Sequence, residues 1–222
     1  MKKVFCLISV ICISIAFSGS AQRLDRFGAE TGSEDRDGFI HRNGYTGIVS
    51  YYGYIKPGSV PDDMRDGKSL YYLYFYLNDS LPEIGARIIA PVPRVIMPGK
   101  GDLVADNYYL NEKDKTHTFN TWLAIERAYS IKNFADITTK FDKTGWLQLS
   151  FNDDADEMFN KTNSLIRIIN SAKKNIIAGL YRIVISTSGK EEVKGGFLIQ
   201  LGSTSGLPGV RLTPKVEDLQ VQ

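Results

Sequence analysis

The sequence has few of the residues from which catalytic and zinc sites are built. Its 222 residues include two cysteines, Cys6 and Cys12, and two histidines, His41 and His117. This count excludes a zinc site made of histidine and cysteine. A hydrolase triad needs a base held rigidly beside its nucleophile, yet both histidines lie in polar, loop-like segments and no G-x-S-x-G motif is present. We therefore expect no enzyme, although paired carboxylates from separate strands remain an alternative.

Long apolar runs are equally scarce. The single run, residues 4–17, follows two lysines and precedes the small residues "SGSA", which predicts a cleaved signal peptide over residues 1–21. The run is shorter than the roughly 20 residues of a membrane span, so we expect export and no transmembrane span in the mature chain. Lipidation at Cys12 is the alternative, but the preceding Ile11 is larger than the residue normally found there.

An excess of charge is absent too. Without Lys2 and Lys3, the chain has 25 basic and 25 acidic residues. A neutral chain has no overall field that would attract nucleic acid or anionic lipid. Cleavage at the predicted site would also remove both cysteines, so about 200 residues must form a stable core without a disulfide.

What the sequence does contain is a series of short β-type runs. Residues 22–44 are charged and glycine-rich and predict a flexible arm, residues 45–214 a single β domain, and residues 215–222 a tail. Eight aromatic and β-branched runs without regular intervening helices predict a mainly β fold, an antiparallel β-sandwich. The runs are 48–55, 70–77, 86–90, 121–127, 146–151, 164–169, 179–187 and 196–202.

The run 70–77 has two unlike faces. One face carries Tyr71, Leu73, Phe75 and Leu77 and suits the core, because alternate residues of a strand point to the same side. The other carries Leu70 with three tyrosines, whose hydroxyls need a partner or water. We expect this face either to pack beneath a second layer or to bind a ligand through its tyrosines, which are Tyr72, Tyr74 and Tyr76.

Residues 128–143 are less typical of a strand. Phe134, Ile137 and Phe141 recur at spacings of three and four, which predicts a short amphipathic helix across the sandwich.

The acidic stretch "NDDADE", residues 152–157, is the one candidate metal loop. It fails as an EF-hand that starts at Asn152, because the sixth position is Glu157 instead of glycine and the twelfth is Asn163 instead of glutamate. A calcium site with ligands from several loops remains open. On the residues alone, a hydrated loop is the simpler interpretation.

The ordered strings "YYGYIKPG", "YYLYFYL", "PGKGDLVAD", "FNTWLAIER", "NSLIRI", "GLYRIVIST" and "EVKGGFL" resemble the major outer-membrane surface lipoprotein family of leptospires. The resemblance spans residues 49–214. It implies a calcium-binding sandwich of jelly-roll type with a few short helices, displayed at the cell surface. It also implies binding to extracellular-matrix proteins such as laminin, collagen and fibronectin, and no enzymatic activity.

The resemblance implies a calcium site in this chain, with one departure from the family pattern. Where the family has "FDTW", this chain has "FNTW", so a neutral amide replaces a carboxylate. Calcium affinity depends on the charge of the ligands, and we expect weak binding or none. The implied ligands are Asn120, Thr121, Asp153, Asp154 (or Asp156) and the carbonyl of Thr162.

The family's lipidated cysteine at the end of the signal is also missing, since this chain has "SGSAQ" there. We therefore expect an exported protein of the outer-membrane surface, periplasm or extracellular space that acts by binding. The alternative is a structural envelope protein without a diffusible ligand.

Overall fold

The computed structural model describes residues 33–36, 39–42, 45–94, 96–110, 117, 119–152 and 163–219. The predicted signal peptide, 1–21, lies outside these ranges. Within the predicted arm, strands β1 (Ser33–Arg36) and β2 (Phe39–Arg42) form an antiparallel two-stranded sheet. The arm and the other predicted domain boundaries stay predictions.

All eight predicted strands are present, with ends that differ by at most three residues. They are β3 (Thr46–Ile55), β5 (Lys68–Leu77), β6 (Glu83–Ile89), β8 (Thr121–Ala128), β9 (Trp146–Asn152), β10 (Asn163–Ile169), β11 (Gly179–Thr187) and β12 (Gly195–Ser203). The short strands β4 (Asp63–Arg65) and β7 (Leu103–Val104) were not predicted. They have only three and two residues, too few to show an alternating pattern.

The strands form two five-stranded sheets. The first has the order β10-β6-β12-β3-β7 and the second the order β4-β5-β11-β8-β9. Among the eight long strands, the first pairs with the last, the second with the seventh, the third with the sixth and the fourth with the fifth. This nested antiparallel pairing is that of a jelly roll. The predicted β-sandwich is therefore confirmed, with a single short parallel pair between β3 and β7.

The main core lies between the two sheets, and β5 shows how the sequence builds it. Leu73, Phe75 and Leu77 point inward and are at most 2% exposed. Tyr72 and Tyr74 point to the opposite side and join a separate apolar cluster on the outer face of the second sheet. The two-faced pattern predicted for this strand is therefore confirmed.

A second layer covers that outer face. It includes helix α2 (Asp136–Lys140), the 3-10 turn Phe141–Lys143 and the C-terminal 3-10 turn Val216–Asp218. Ile137 is buried in the layer, with Phe134 and Phe141 packed against the same cluster, as their spacing predicted.

Helix α1 (Asp106–Leu110) precedes β8. None of the helices in the described ranges has the length and apolar character needed to span a membrane.

Candidate functional site

Asn120 lies immediately before β8, at the end of the sandwich where the β11–β12 turn approaches. Its backbone N–H donates to Glu191 Oε1 over 3.1 Å, and its carbonyl accepts from the Ser188 N–H over 3.0 Å. Its side-chain Oδ1 is buried and has no hydrogen-bond partner within the part of the chain that the structure describes. Buried polar atoms nearly always have a partner. Asn120 Oδ1 is therefore placed as a ligand would require.

Thr121, the first residue of β8, is fully buried beside the start of β10. The Ser164 hydroxyl donates to the Thr121 carbonyl over 2.7 Å, and the two side-chain oxygens lie 2.9 Å apart. Because Ser164 has one hydroxyl proton, the Thr121 hydroxyl is the donor of the second bond. Its oxygen lone pairs are not used by this pair and remain able to accept a cation.

The acidic loop, residues 153–162, connects two strand ends that lie near Asn120 and Thr121. Asn152, at the end of β9, is opposite Leu123 in β8, and its side-chain amide donates to the Leu165 carbonyl in β10 over 2.7 Å. Residues 153–162 connect these two strands. The predicted ligands Asp153, Asp154, Asp156 and Thr162 lie in this connection, outside the described residues. The structure thus brings Asn120 and Thr121 together with both ends of the loop.

Glu191, in the β11–β12 turn, is a carboxylate at this site that sequence reasoning missed. Besides the Asn120 N–H, its Oε1 accepts the Thr187 hydroxyl over 2.6 Å. These hydrogen bonds, that of Thr187 first, lower the pKa of the Glu191 carboxyl below its ordinary value. Its place 71 residues after Asn120 has no sequence signal, since the contact exists only once β8 and β11 have paired.

The described residues suit calcium in part. Asn120 Oδ1 and Thr121 Oγ1 are hard, uncharged oxygens of the type that Ca²⁺ accepts. Across the described ranges, no group of three or more His, Cys, Asp or Glu side chains is arranged to hold a metal ion. Glu191 is the carboxylate described beside Asn120, so further negative charge at a complete site would have to come from the acidic loop.

The predicted tyrosine surface lies mostly beneath the second layer. Tyr72 is 5% exposed and Tyr74 9% exposed, while Tyr76 is half-buried. The Tyr72 hydroxyl donates to Asp63 Oδ2 over 2.9 Å, and the Tyr76 hydroxyl to the Lys132 carbonyl over 3.1 Å. This arrangement gives Tyr72 and Tyr74 a packing role, and ligand binding by the three tyrosines stays a prediction.

A buried ion pair beneath the same layer was also missed. The Arg182 guanidinium lies between the rings of Tyr72 and Trp146, 3.9 and 4.0 Å from their centroids. Its Nη2 is 2.6 Å from Glu126 Oε2, and Glu126 Oε1 is 2.7 Å from Arg65 Nη1. Each of the apolar strands β8 and β11 carries a single charged residue on one face, Glu126 and Arg182. Because buried charges are normally paired, this pattern could have revealed the ion pair.

Comparison with known proteins gives one family. The family model for Lipl32, described as a surface lipoprotein of the Spirochaetales order, matches residues 41–212. No curated protein shows significant similarity to the chain.

Proposed function

Since the chain belongs to the Spirochaetales surface lipoprotein family, we propose that it acts at the cell envelope by binding and not by catalysis. The family match over residues 41–212 supports an envelope or surface location. Export by a cleaved signal peptide, to the outer-membrane surface, the periplasm or the medium, is part of the same proposal.

The proposed ligand of the acidic end is a calcium ion. The observation behind it is the buried, unpartnered Oδ1 of Asn120 in the described structure, beside both ends of the acidic loop. Asn120 and Thr121 would supply side-chain oxygens, and Asp153 with Asp154, or Asp156, the negative charge. The Thr162 carbonyl would complete the set. Bound calcium would hold the loop against the start of β8.

The affinity of this site is expected to be low. Asn120 is neutral, and calcium sites with fewer charged ligands bind more weakly. Glu191 Oε1 accepts two hydrogen bonds, from the Asn120 N–H and the Thr187 hydroxyl, which hold this carboxylate at the β11–β12 turn.

Calorimetry and thermal melting with millimolar CaCl₂ test the proposal, with MgCl₂ as the ionic control. Asn120→Asp should tighten calcium binding severalfold, and Asn120→Leu should abolish it. Asn78→Asp, in the exposed β5–β6 turn, makes the same change of charge elsewhere and should leave binding unaltered. If neither the native protein nor Asn120→Asp shows heat of binding or a thermal shift with calcium, the proposed calcium site is refuted.

Adhesion to extracellular-matrix proteins is the proposed role of the outer surface. Tyr76 is the most accessible of the three tyrosines, so Tyr76→Ser should reduce saturable binding to immobilised laminin or collagen. Tyr109→Ser, at another exposed tyrosine, is the matched control. If the native protein binds neither laminin nor collagen saturably but remains firmly attached to isolated envelopes, the alternative is favoured. That alternative is a structural envelope protein without a diffusible ligand.

A further inference from the structure

A cavity of about 430 Å³ opens at the edge of the sandwich away from the acidic loop. At this edge, β3 and β7 of the first sheet face β4 and β5 of the second, whereas β9 and β10 form the opposite edge. The volume is in the range of small-molecule pockets, about 300–1,000 Å³. The residues that matter for its chemistry are Tyr51, Tyr71, Phe197, Asp62 and Asp106.

Aromatic rings line much of the cavity. The tip of the Phe197 ring approaches the backbone of Gly53, where an added Cβ would be 2.3 Å from Cζ. The Tyr51 ring lies beside Phe197, with centroids 6.2 Å apart. The Tyr71 hydroxyl donates to the Ser59 carbonyl over 3.1 Å, which fixes its ring as a further wall. Such rings offer the negative face of their quadrupole to a cation.

The charged groups of the cavity are all negative. Asp62 and Asp106 line it, and no lysine, arginine or histidine is among its lining residues in the described structure. Asp62 Oδ2 accepts the Tyr72 backbone N–H over 2.7 Å, which orients the carboxylate. Asp106 begins helix α1 and is exposed at the cavity.

The Tyr51 hydroxyl is a further polar group at the cavity. Tyr51 is 8% exposed and lines the cavity. Burial, with a smaller contribution from Asp106, raises the pKa of Tyr51 to about 12, so the group is a neutral hydroxyl at physiological pH. A neutral hydroxyl that lines a cavity can donate a hydrogen bond to a ligand atom or accept one from it.

We propose that this cavity binds an organic cation, an alkylammonium or guanidinium group, between the rings of Tyr51, Tyr71 and Phe197. Asp62 and Asp106 neutralise its charge, and the Tyr51 hydroxyl accepts one of its hydrogen bonds. This site is separate from the proposed calcium site and from matrix adhesion, and it stands or falls independently of both. The cation is either a free polyamine or a basic side chain of another protein, and the two sources share this chemistry.

The test uses the exported protein, produced from the full-length sequence, in two-dimensional amide NMR titrations. Spermidine represents the free cation, and acetyl-Gly-Lys-Gly-amide represents a protein side chain. Acetyl-Gly-Gln-Gly-amide is the neutral control. We expect saturable shifts of cavity amides, Gly53 among them, with at least one cation and none with the glutamine peptide.

Three variants separate the site from general charge effects. Asp106→Asn should weaken binding about fivefold, the loss of one partly exposed ion pair. Tyr51→Phe should weaken it about three- to tenfold, the loss of one hydrogen bond. Asp79→Asn makes the same charge change just past the far end of β5, about 20 Å from Tyr71, and should have no effect. Tyr51→Phe keeps the ring and its packing, so it remains informative if a charge variant fails to fold.

The outcomes are distinct. Saturation by spermidine alone, by the lysine peptide alone, or by both supports the site and identifies the source of the cation. No saturable shift with either cation, or equal weakening in Asp79→Asn and Asp106→Asn, overturns the proposal. Calcium that fails to bind at Asn120 would leave this result unchanged.

Discussion

Replacing Glu126 by glutamine tests how much the buried ion pair beneath the outer layer contributes to stability. The Glu126 side chain is 2% exposed and that of Arg182 7%, and the Arg182 Nε also donates to Glu126 Oε2 over 2.8 Å. Glutamine keeps the volume of the side chain and an acceptor oxygen but removes the charge. Arg182 then remains buried between two aromatic rings and loses its hydrogen-bonded carboxylate, while Asp62 and Asp63 remain as negative charges that interact with it.

The expected cost is large because a buried charge loses its hydrogen-bonded partner. Removing one partner of a buried pair costs about 3–5 kcal/mol. We expect about 3 kcal/mol, the lower end, since the Tyr72 and Trp146 rings still contact the Arg182 guanidinium in the variant. At about 2–4 °C per kcal/mol for a chain of this size, Tm should fall by about 10 °C.

Urea denaturation and thermal melting by circular dichroism measure the change. Lys140→Gln breaks an exposed ion pair to Asp136 and should leave Tm unchanged. The double variant Glu126→Leu with Arg182→Met replaces both charges by apolar groups and should be more stable than Glu126→Gln. A fall in Tm no larger than that of Lys140→Gln would refute the reasoning, because the pair would then make no net contribution.

Three further predictions concern the core, the packing of one glycine and the acidic end. Phe75→Ala empties a fully buried position stacked on a β11 tyrosine and should cost about 3–5 kcal/mol in urea denaturation. Gly53→Ala should cost about 1–3 kcal/mol in urea denaturation because its Cβ overlaps the Phe197 ring, whereas Gly99→Ala, with only an ordinary contact, should leave stability nearly unchanged. The Thr187 hydroxyl donates to the Glu191 carboxylate and lowers its pKa below the ordinary value of 4.5. This hydrogen bond exists only in the folded state. The stability that this hydrogen bond contributes is therefore present above pH 4.5 and is lost as the pH falls through the folded-state pKa. Between about pH 5 and pH 3, the Tm of Glu191→Gln should therefore fall less than that of the native protein.

The sequence predicted the strands because their alternation is local. Leu73 and Phe75 point inward and Tyr72 and Tyr74 outward, and that division is readable from eight consecutive letters. A covering layer over the tyrosines could be proposed but not chosen over a binding surface, because the covering residues follow some 60 to 140 positions later in the chain.

The candidate sites were predicted only in part, since each requires contacts between distant strands. Asn120 and Thr121 were found through a family resemblance, but Glu191 reaches Asn120 only through strand pairing. The cavity at the other edge joins Tyr51 and Tyr71 from different sheets. No spacing in the sequence relates these two tyrosines.

The pairing of β3 with β12 has a consequence for the time course of folding. Ile55 is opposite Gly195 in the first sheet, so this pair cannot form until nearly the whole chain is available. Proteins dominated by such distant pairings fold slowly, in milliseconds to seconds. The first sheet therefore cannot close around β3 until β12 has been made, so the two ends of the domain become ordered together and late.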